Sequence, residues 1–179
     1  MNTKLPMNIL EIGCFEGRST IWFIDNMLTH EDSHIDVIDT FEGSVENHEI
    51  ECEYMKDTLN RLYETFLKNI SRHIKKVTVM KGYSHNHLIV LNLSKKNSYD
   101  FIYIDGDHRG FNVLRDAVLS FSLLKLGGCI AFDDYEWTGK RDIDSPKMAI
   151  DTFLSLFKDY LEVLYVGYQL YVRKIKHSE

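Results

Sequence analysis

In the segment Leu10–Thr20, LEIGCFEGRST, an apolar run ends in two spaced glycines and small hydroxyl residues. Met7–Gly13 predicts a short strand, and Ser19–Leu28 carries apolar side chains mostly at helical spacing. One glycine would be enough for a tight strand-to-helix turn. Gly13 and Gly17 form a G-x-x-x-G pattern rather than G-x-G-x-x-G, and together they indicate that a ligand approaches the backbone here.

Apolar strands and amphipathic helices alternate along the rest of the chain. Further strands are predicted at His34–Thr40, Lys75–Ser84, Tyr99–His108 and Cys129–Trp137. Helices are predicted at Cys52–Ile70, His85–Leu93 and Met148–Tyr160. Buried strands that alternate with helices predict an α/β fold with a mainly parallel sheet covered on both faces.

Two further segments complete this pattern. A core-facing helical stripe is predicted at Phe111, Leu114, Ala117, Val118, Phe121 and Leu124. The LGG sequence at Leu126–Gly128 is typical of the end of that helix. Leu161–Lys174 predicts an antiparallel hairpin that turns at Gly167–Tyr168, at the edge of the sheet. We find no repeat or linker, and therefore expect one domain over residues 1–179.

Composition excludes several classes of protein. A hydrophobic fraction of 44% in 179 residues argues against wholesale disorder, and no apolar run is long enough to cross a bilayer. The net charge of −6 disfavours a nonspecific nucleic-acid binder. The three cysteines (Cys14, Cys52 and Cys129) are odd in number and widely separated, which favours free thiols. Because the N-terminus also lacks the apolar core of a signal peptide, we expect a cytoplasmic protein with neither membrane nor nucleic-acid partners.

Polar residues collect where the predicted strands end, and ligands of such sheets bind beyond the carboxyl ends of the strands. These ends carry Glu11–Gly13, Asp39, Gly82–Ser84, Asp105–His108 and Asp133–Asp134. Asp39 lies about twenty residues beyond the first turn, where an acid accepts hydrogen bonds from a ribose diol. Amides at the start of the first helix can hold a carboxylate or phosphate. Together these features indicate a nucleoside-bearing cofactor.

The order of these motifs resembles that of the class I S-adenosylmethionine (SAM) methyltransferases. The similar segments are LEIGCFEGRST, VIDTFEGS, YDFIYIDGDH and LLKLGGCIAFDD. The combination of DTFEG, IDGDH and a terminal acidic pair, with SPKMAIDTFL before the last hairpin, resembles a narrower group, the macrocin/mycinose-type sugar O-methyltransferases. The resemblance implies a Rossmann-like sheet of seven strands with the last strand antiparallel.

The resemblance also implies the contacts of the cofactor. Glu11, Gly13 and Gly17 would line the methionine side, Asp39 the ribose, and Tyr83 with Ser84 the adenine edge. The full predicted cofactor-binding set is Glu11, Gly13, Gly17, Ser19, Asp39, Thr40, Tyr83, Ser84 and Asp105. Relatives of this group usually carry N-terminal helices that help to close the acceptor site, whereas about six residues precede the first strand here. This difference leaves a homo-oligomer or a larger multidomain context open.

Acids at two neighbouring strand ends predict a metal site. Carboxylates that converge there repel one another unless a cation lies between them, and Mg²⁺ prefers such oxygen ligands. By the resemblance, Asp105, Asp133 and Asp134 match the ligands of metal-dependent O-methyltransferases, and His108 matches a general base. Asp107 fits equally well as a cap of the following helix. The predicted catalytic residues are therefore His108 and Asp105.

The acceptor is the least determined part of the prediction. The expected partner is a small molecule or glycan that offers a hydroxyl group, with Tyr135, Trp137 and the loop Glu42–Glu51 as candidate pocket residues. A catechol-type O-methyltransferase would use the same acids, because both acceptors present vicinal hydroxyls. A non-catalytic SAM-binding domain is a third interpretation. An NAD-dependent enzyme is disfavoured because the first turn lacks the middle glycine of G-x-G-x-x-G.

Overall fold

The computed structural model describes residues 5–44, 48, 52–138 and 145–177. Its strands are β1 (Asn8–Ile12), β2 (His34–Asp39), β3 (Val77–Lys81), β4 (Tyr99–Ile104), β5 (Leu124–Phe132), β6 (Leu161–Val166) and β7 (Leu170–Lys174). The α-helices are α1 (Arg18–Asn26), α2 (Glu53–Asn60), α3 (Leu62–Asn69), α4 (Ser84–Ser94), α5 (Gly110–Phe121) and α6 (Pro146–Leu156). A 3₁₀ helix, Ser71–Lys76, leads into β3.

The strands form one seven-stranded sheet in the order β3-β2-β1-β4-β5-β7-β6. Strands β1 to β5 pair in parallel, whereas β7 is antiparallel to both β5 and β6. This topology confirms the predicted Rossmann-like sheet with an antiparallel C-terminal hairpin. It also places β4 beside β5, so the acids that follow these two strands share one edge of the sheet.

Two apolar clusters cover the two faces of the sheet. One cluster packs Phe121 of α5 and Phe153 of α6 against Ile102 of β4. The other packs Phe23 of α1 and Phe66 of α3 with side chains of the opposite face. Because the central strands are buried on both faces, their sequences are almost continuously apolar.

The region around Leu126–Gly128 differs from the prediction. Helix α5 ends at Phe121, and β5 already begins at Leu124, so the two glycines lie inside a strand. Tyr99 pairs with Leu124 while Phe101 pairs with Cys129, which means that the glycine pair belongs to an irregularity of β5. Gly127 has a φ of +80°, a value that suits glycine in a bulge as well as at a helix end. The local signal was therefore ambiguous between the two structures.

The predicted stripe of α5 is also partly wrong. Phe111 is 74% exposed and Val118 is 40% exposed, whereas Val113, Ala117 and Phe121 are buried. The predicted helix over Cys52–Ile70 is divided in two at Arg61, which is both the C-cap of α2 and the N-cap of α3. Neither α2 nor any other helix in the described ranges is long and apolar enough to cross a membrane.

Candidate active site

A cavity of about 1380 Å³ opens at the carboxyl ends of β1, β2 and β4. Many of the predicted site residues line it, namely Gly13, Ser19, Asp39, Thr40, Tyr83, Ser84, Asp105 and His108. Ligand sites of small molecules commonly have volumes of about 300–1,000 Å³, so the cavity has room for a cofactor and an acceptor together. The topology therefore brings most of the expected cofactor residues, without Glu11 and Gly17, and part of the acid cluster to one place.

The glycines of the first turn permit close packing of the backbone. Gly13 has a φ of +84°, and a Cβ atom there would lie 2.0 Å from the carbonyl oxygen of Asp105. Gly17, with a φ of +87°, would place a Cβ atom 2.9 Å from the ring of Phe66. Gly13 lines the cavity, but Gly17 does not, so the structure explains Gly17 by its contact with α3 rather than by a cofactor.

Glu11 lies behind the turn instead of in the cavity. Its side chain is fully buried, and it accepts hydrogen bonds from Oγ of Ser19 and, at 2.5 Å, from Oγ1 of Thr20. Burial raises the pKa of Glu11 to about 8, although the two hydroxyl donors act in the opposite direction. The expectation of direct contact between Glu11 and the methionine moiety is thus corrected to an indirect role, in which Glu11 orients Ser19.

Asp39 joins the first turn to the end of β2. Its Oδ2 atom accepts hydrogen bonds from the backbone amides of Cys14, at 2.8 Å, and Phe15, at 3.0 Å. Its Oδ1 atom accepts a third bond, at 2.6 Å, from the amide of Phe41. Asp39 also lines the cavity, so its carboxylate combines a structural role with the position expected of a ribose acceptor.

A buried acid, Asp116, contacts Ser84 at the predicted adenine edge. Ser84, the first residue of α4, donates a hydrogen bond of 2.8 Å to Oδ1 of Asp116. Asp116 is 2% exposed, and burial raises its pKa to about 6. Sequence reasoning missed Asp116, although a single acid within an apolar helical stripe was an available signal. Tyr83 is mostly exposed, with its ring 5.8 Å from that of His85.

The acids after β4 and β5 meet around His108. Nε2 of His108 lies 3.0 Å from Oδ2 of Asp134 and 3.9 Å from Oδ1 of Asp105. Burial first, and then the charges of Asp133 and Asp134, raise the pKa of Asp105 to about 7. Burial opposes ionisation of Asp134 as well, but its hydrogen bond with His108 keeps the pKa of Asp134 below its ordinary value.

This cluster has the donor set for a small divalent cation. Asp105, His108 and Asp134 each offer one ligand atom, and these atoms lie within 4.8 Å of one another. A space of about 10 Å³, close to the size of one water molecule, is lined by residues of both strand ends, including His108 and Asp134. Two carboxylates beside an imidazole suit a divalent ion, and their mutual repulsion favours one.

Asp133 is placed differently from the other predicted ligands. Its Oδ1 atom accepts hydrogen bonds from Oη of Tyr103, at 2.6 Å, and from Nε2 of Gln169. Among the described residues it does not belong to the group whose ligand atoms converge. Asp107 accepts hydrogen bonds from the backbone amide and the side chain of Arg109, but Arg109 is itself the N-cap of α5 and the cap has no side-chain hydrogen bond, so the prediction that Asp107 caps this helix is wrong.

The candidate acceptor residues are divided between two environments. Tyr135 is 6% exposed, donates a hydrogen bond of 2.8 Å to Asp151, and does not line the cavity, so its expected place in the pocket is corrected. The ring of Trp137 lies 5.1 Å from that of His108, beside the acid cluster. Of the loop Glu42–Glu51, Glu42 to Ser44 and His48 line the cavity, and its other residues lie outside the described ranges.

Several lining residues escaped sequence reasoning: Arg18, Trp22, Tyr103, Arg115, Gln169 and Tyr171. The last two come from the C-terminal hairpin, far along the chain from the motifs at the ends of the parallel strands. The pairing of β7 with β5 brings them to the site. A strand pattern predicts the hairpin, but it does not predict which strand the hairpin will join.

Comparisons with known proteins agree with this architecture. Residues 10–135 match the sequence profile of a family described as a methyltransferase domain. The chain is 30% identical over 134 residues to the uncharacterised protein R132 of Acanthamoeba polyphaga mimivirus. That match covers 74% of this chain and 53% of the relative, so the chain spans about half the length of the curated relative that it matches.

Solved structures share the fold at low sequence identity. An O-methyltransferase of Bacillus cereus in complex with SAH superposes with a TM-score of 0.62 at 20% identity, covering 94% of this chain and 74% of that one. MycE, a methyltransferase of the mycinamycin biosynthetic pathway in complex with Mg and SAH, superposes with a TM-score of 0.62 at 13% identity. That match covers 94% of this chain and 45% of MycE. The profile match extends over more than half of the sequence, and the chain therefore belongs to the methyltransferase-domain family.

Proposed function

We propose that this protein is a SAM-dependent O-methyltransferase that acts on a hydroxyl group of a sugar or glycan with the help of a divalent ion, Mg²⁺. The observation that carries the proposal is the contact between the two halves of the site. Gly13, in the first turn, packs against the backbone of Asp105, at the start of the acid cluster. A cofactor bound at that turn would have its reactive end close to the cluster.

The residues for the cofactor lie along one wall of the cavity. Ser19 and Asp39 line the cavity next to β1 and β2, and Tyr83 and Ser84 line it at the end of β3. We assign the ribose to Asp39, the methionine end to the turn at Gly13 with Ser19, and the adenine to Tyr83 and Ser84. The SAH bound by the Bacillus cereus structure of similar fold supports this assignment.

The acid cluster would hold the metal ion and the acceptor. Asp105 and Asp134 would bind the ion directly, and Asp133, which lies outside the group whose ligand atoms converge, would act on the ion through a coordinated water. SAM supplies an electrophilic methyl group, and a bound Mg²⁺ ion would make a coordinated hydroxyl more acidic. The Mg reported with MycE supports an ion at this place in the fold. Vicinal hydroxyls, which sugars present, would allow an acceptor to bind the ion at two points.

His108, as the neutral ring protonated at Nδ1, would take the proton of the acceptor hydroxyl at Nε2. The N–H group formed there would donate to Oδ2 of Asp134, 3.0 Å away, and this contact would stabilise the imidazolium. Trp137 packs beside the ring and restricts its movement. The cavity thus joins the cofactor residues to Asp105 and His108, and Asp134 lines the small space next to them.

The test is methyl transfer from labelled SAM to a panel of methyl glycosides and catechols, with Mg²⁺ or with excess chelator. We expect transfer to a glycoside that chelation abolishes and Mg²⁺ restores, while calorimetry shows SAH binding in both conditions and no NAD binding. Asp105→Asn should abolish transfer. Asp159→Asn, in the exposed turn before β6, is the matched control. Full activity in excess chelator contradicts the metal, and transfer to catechols alone contradicts the sugar.

A further inference from the structure

The turn of the C-terminal hairpin reaches both members of the acidic pair. Gln169 donates a hydrogen bond from Nε2 to Oδ1 of Asp133, and Oη of Tyr168 lies 3.2 Å from Oδ1 of Asp134. The backbone makes a further link, because the amide of Glu136 donates to the carbonyl of Tyr168 at 3.3 Å. The turn is thus attached at three points to the segment that follows β5.

The carboxylate of Asp133 is fixed by two neutral donors. Oη of Tyr103 donates to the same Oδ1 atom, at 2.6 Å, that receives the bond from Gln169. The amide of Gln169 is itself oriented, since Oη of Tyr171 donates to its Oε1 atom at 2.7 Å. With the oxygen of the amide engaged by Tyr171, its nitrogen faces Asp133. Neutral donors hold a carboxylate in one orientation without cancelling its charge.

We propose that Gln169 is a positioning residue for the divalent ion, acting through Asp133, and that Tyr168 does the same through Asp134. This inference rests on the proposed function. Two hydrogen bonds on Oδ1 leave Oδ2 of Asp133 as the atom that would accept from a water of the ion, and they fix the direction in which Oδ2 points. Residues of the outer shell of a metal site commonly affect metal affinity by about 10- to 100-fold when replaced.

The shape of the turn supports this role. The amide of Gly167 donates to the carbonyl of Gln169 at 2.9 Å, which closes the turn on itself. A Cβ atom at Gly167 would lie 2.4 Å from Oη of Tyr165, the end of an exposed side chain that can move away. The internal hydrogen bond of the turn therefore holds the backbone that carries Tyr168 and Gln169, and their side chains start from fixed positions.

The experiment measures Mn²⁺ binding to the full chain in the presence of SAH, by the electron paramagnetic resonance signal of free Mn²⁺. Gln169→Leu should raise the Mn²⁺ dissociation constant by about tenfold or more and leave the SAH dissociation constant within about twofold. Tyr168→Phe should raise the Mn²⁺ dissociation constant less. Tyr160→Phe, which removes a hydroxyl just before β6, at the end of the hairpin opposite the turn, is the matched control and should bind Mn²⁺ like the wild type.

The outcomes separate this inference from the function on which it rests. Wild-type affinity for Mn²⁺ in both Gln169→Leu and Tyr168→Phe overturns the inference and leaves the proposed metal site standing. A wild-type protein that binds SAH but no Mn²⁺ overturns the metal site and the inference with it. Should Gln169→Leu fail to fold, Gln169→Asn, whose shorter amide does not reach Asp133, and Tyr168→Phe decide the same question.

Discussion

Nε2 of His108 lies 3.0 Å from Oδ2 of Asp134, within hydrogen-bond distance, and both side chains are largely shielded from solvent. The imidazole therefore has a carboxylate partner that can stabilise its protonated form. The same ring nitrogen is also close enough to Asp105 to act as a metal ligand, at 3.9 Å from its Oδ1 atom. One atom cannot accept a proton and bind a cation at once, so the two roles are separable by experiment.

Replacement of His108 by alanine should lower the turnover number by about a hundredfold or more, the usual scale of general-base catalysis. The SAH dissociation constant should change little, because His108 follows β4 on the acid side of the cavity. The Mn²⁺ affinity of His108→Ala shows why activity is lost. If His108 is a general base, the affinity should stay unchanged, and if His108 is a metal ligand, the affinity should fall. A near-wild-type rate at saturating metal and SAM would remove His108 from the mechanism.

Replacement of Asp39 by alanine should weaken SAH binding and also destabilise the fold. Three backbone amides donate to its carboxylate, and each would lose a charged acceptor. Hydrogen bonds to a charged group contribute about 1.5–3 kcal/mol each to stability, net of the bonds to water that they replace. Asp39→Asn keeps one acceptor oxygen and should lose less.

Thermal unfolding and calorimetry with SAH separate the two effects in the Asp39 variants. An unchanged melting temperature in Asp39→Ala, together with weaker SAH binding, would assign Asp39 to the ribose alone. Normal SAH affinity in a destabilised variant would assign it to the turn alone. We expect both quantities to fall together.

The sheet was predictable because its signals are local and repeated. Each parallel strand is a short apolar run that ends in a polar residue, as in Tyr99–His108. The bulge at Gly127 was not predictable, because a glycine pair after a helix is equally typical of a helix end. The choice between these structures depends on the pairing of β5 with β4, which no short stretch of sequence contains.

The site was predictable in its location and less so in its contacts. Strand-end acids identified Asp105 and Asp134, because parallel strands bring their carboxyl ends to one edge. The partners of Asp133 were not foreseen, since Gln169 reaches it through the pairing of β7 with β5. The prediction for Glu11 was wrong for a related reason. A polar residue in a strand can face the cavity or the helix that packs on the strand, and the side chain of Glu11 faces α1, where Ser19 and Thr20 donate hydrogen bonds to it.

Gly13→Ala and Gly127→Ala form a matched pair at nearly equal values of φ. Both glycines have a positive φ, +84° and +80°, so an alanine at either position carries similar backbone strain, about 1–2 kcal/mol. A Cβ atom at Gly127 meets nothing within 4 Å, whereas one at Gly13 would lie 2.0 Å from the carbonyl oxygen of Asp105. We expect Gly13→Ala to cost at least about 2 kcal/mol more in the free energy of unfolding.

Urea unfolding of both glycine variants measures the difference, and Mn²⁺ binding by folded Gly13→Ala measures its effect on the acid cluster. Because the clash involves the backbone of Asp105, metal affinity should fall in Gly13→Ala and stay normal in Gly127→Ala. Equal destabilisation of the two variants would mean that the turn moves away from β4 without cost.

Glu11→Gln should change how stability depends on pH. Burial raises the pKa of Glu11 to about 8 in the folded protein, whereas an unfolded chain leaves it near its ordinary value of 4.5. Between these two values the folded state keeps a proton that the unfolded state releases, so stability falls as the pH rises. The expected contribution of Glu11 to this slope is about 1.4 kcal/mol per pH unit, and it vanishes below the lower value and above the higher one.

A glutamine at position 11 has no proton to lose, and the hydroxyls of Ser19 and Thr20 can both donate to its oxygen and accept from its nitrogen. The unfolding free energy of Glu11→Gln, measured in urea from pH 5 to pH 8, should therefore fall less steeply than that of the wild type, by about one proton. Asp105, whose pKa is also raised, is present in both proteins, and its contribution cancels from the comparison as long as Glu11 is protonated, because the charges of the two groups interact. Glu64→Gln, on the exposed side of α3, is the control and should leave the slope unchanged. A slope in Glu11→Gln equal to that of the wild type would mean that Glu11 is ionised in the folded protein at neutral pH, with its charge held by Ser19 and Thr20.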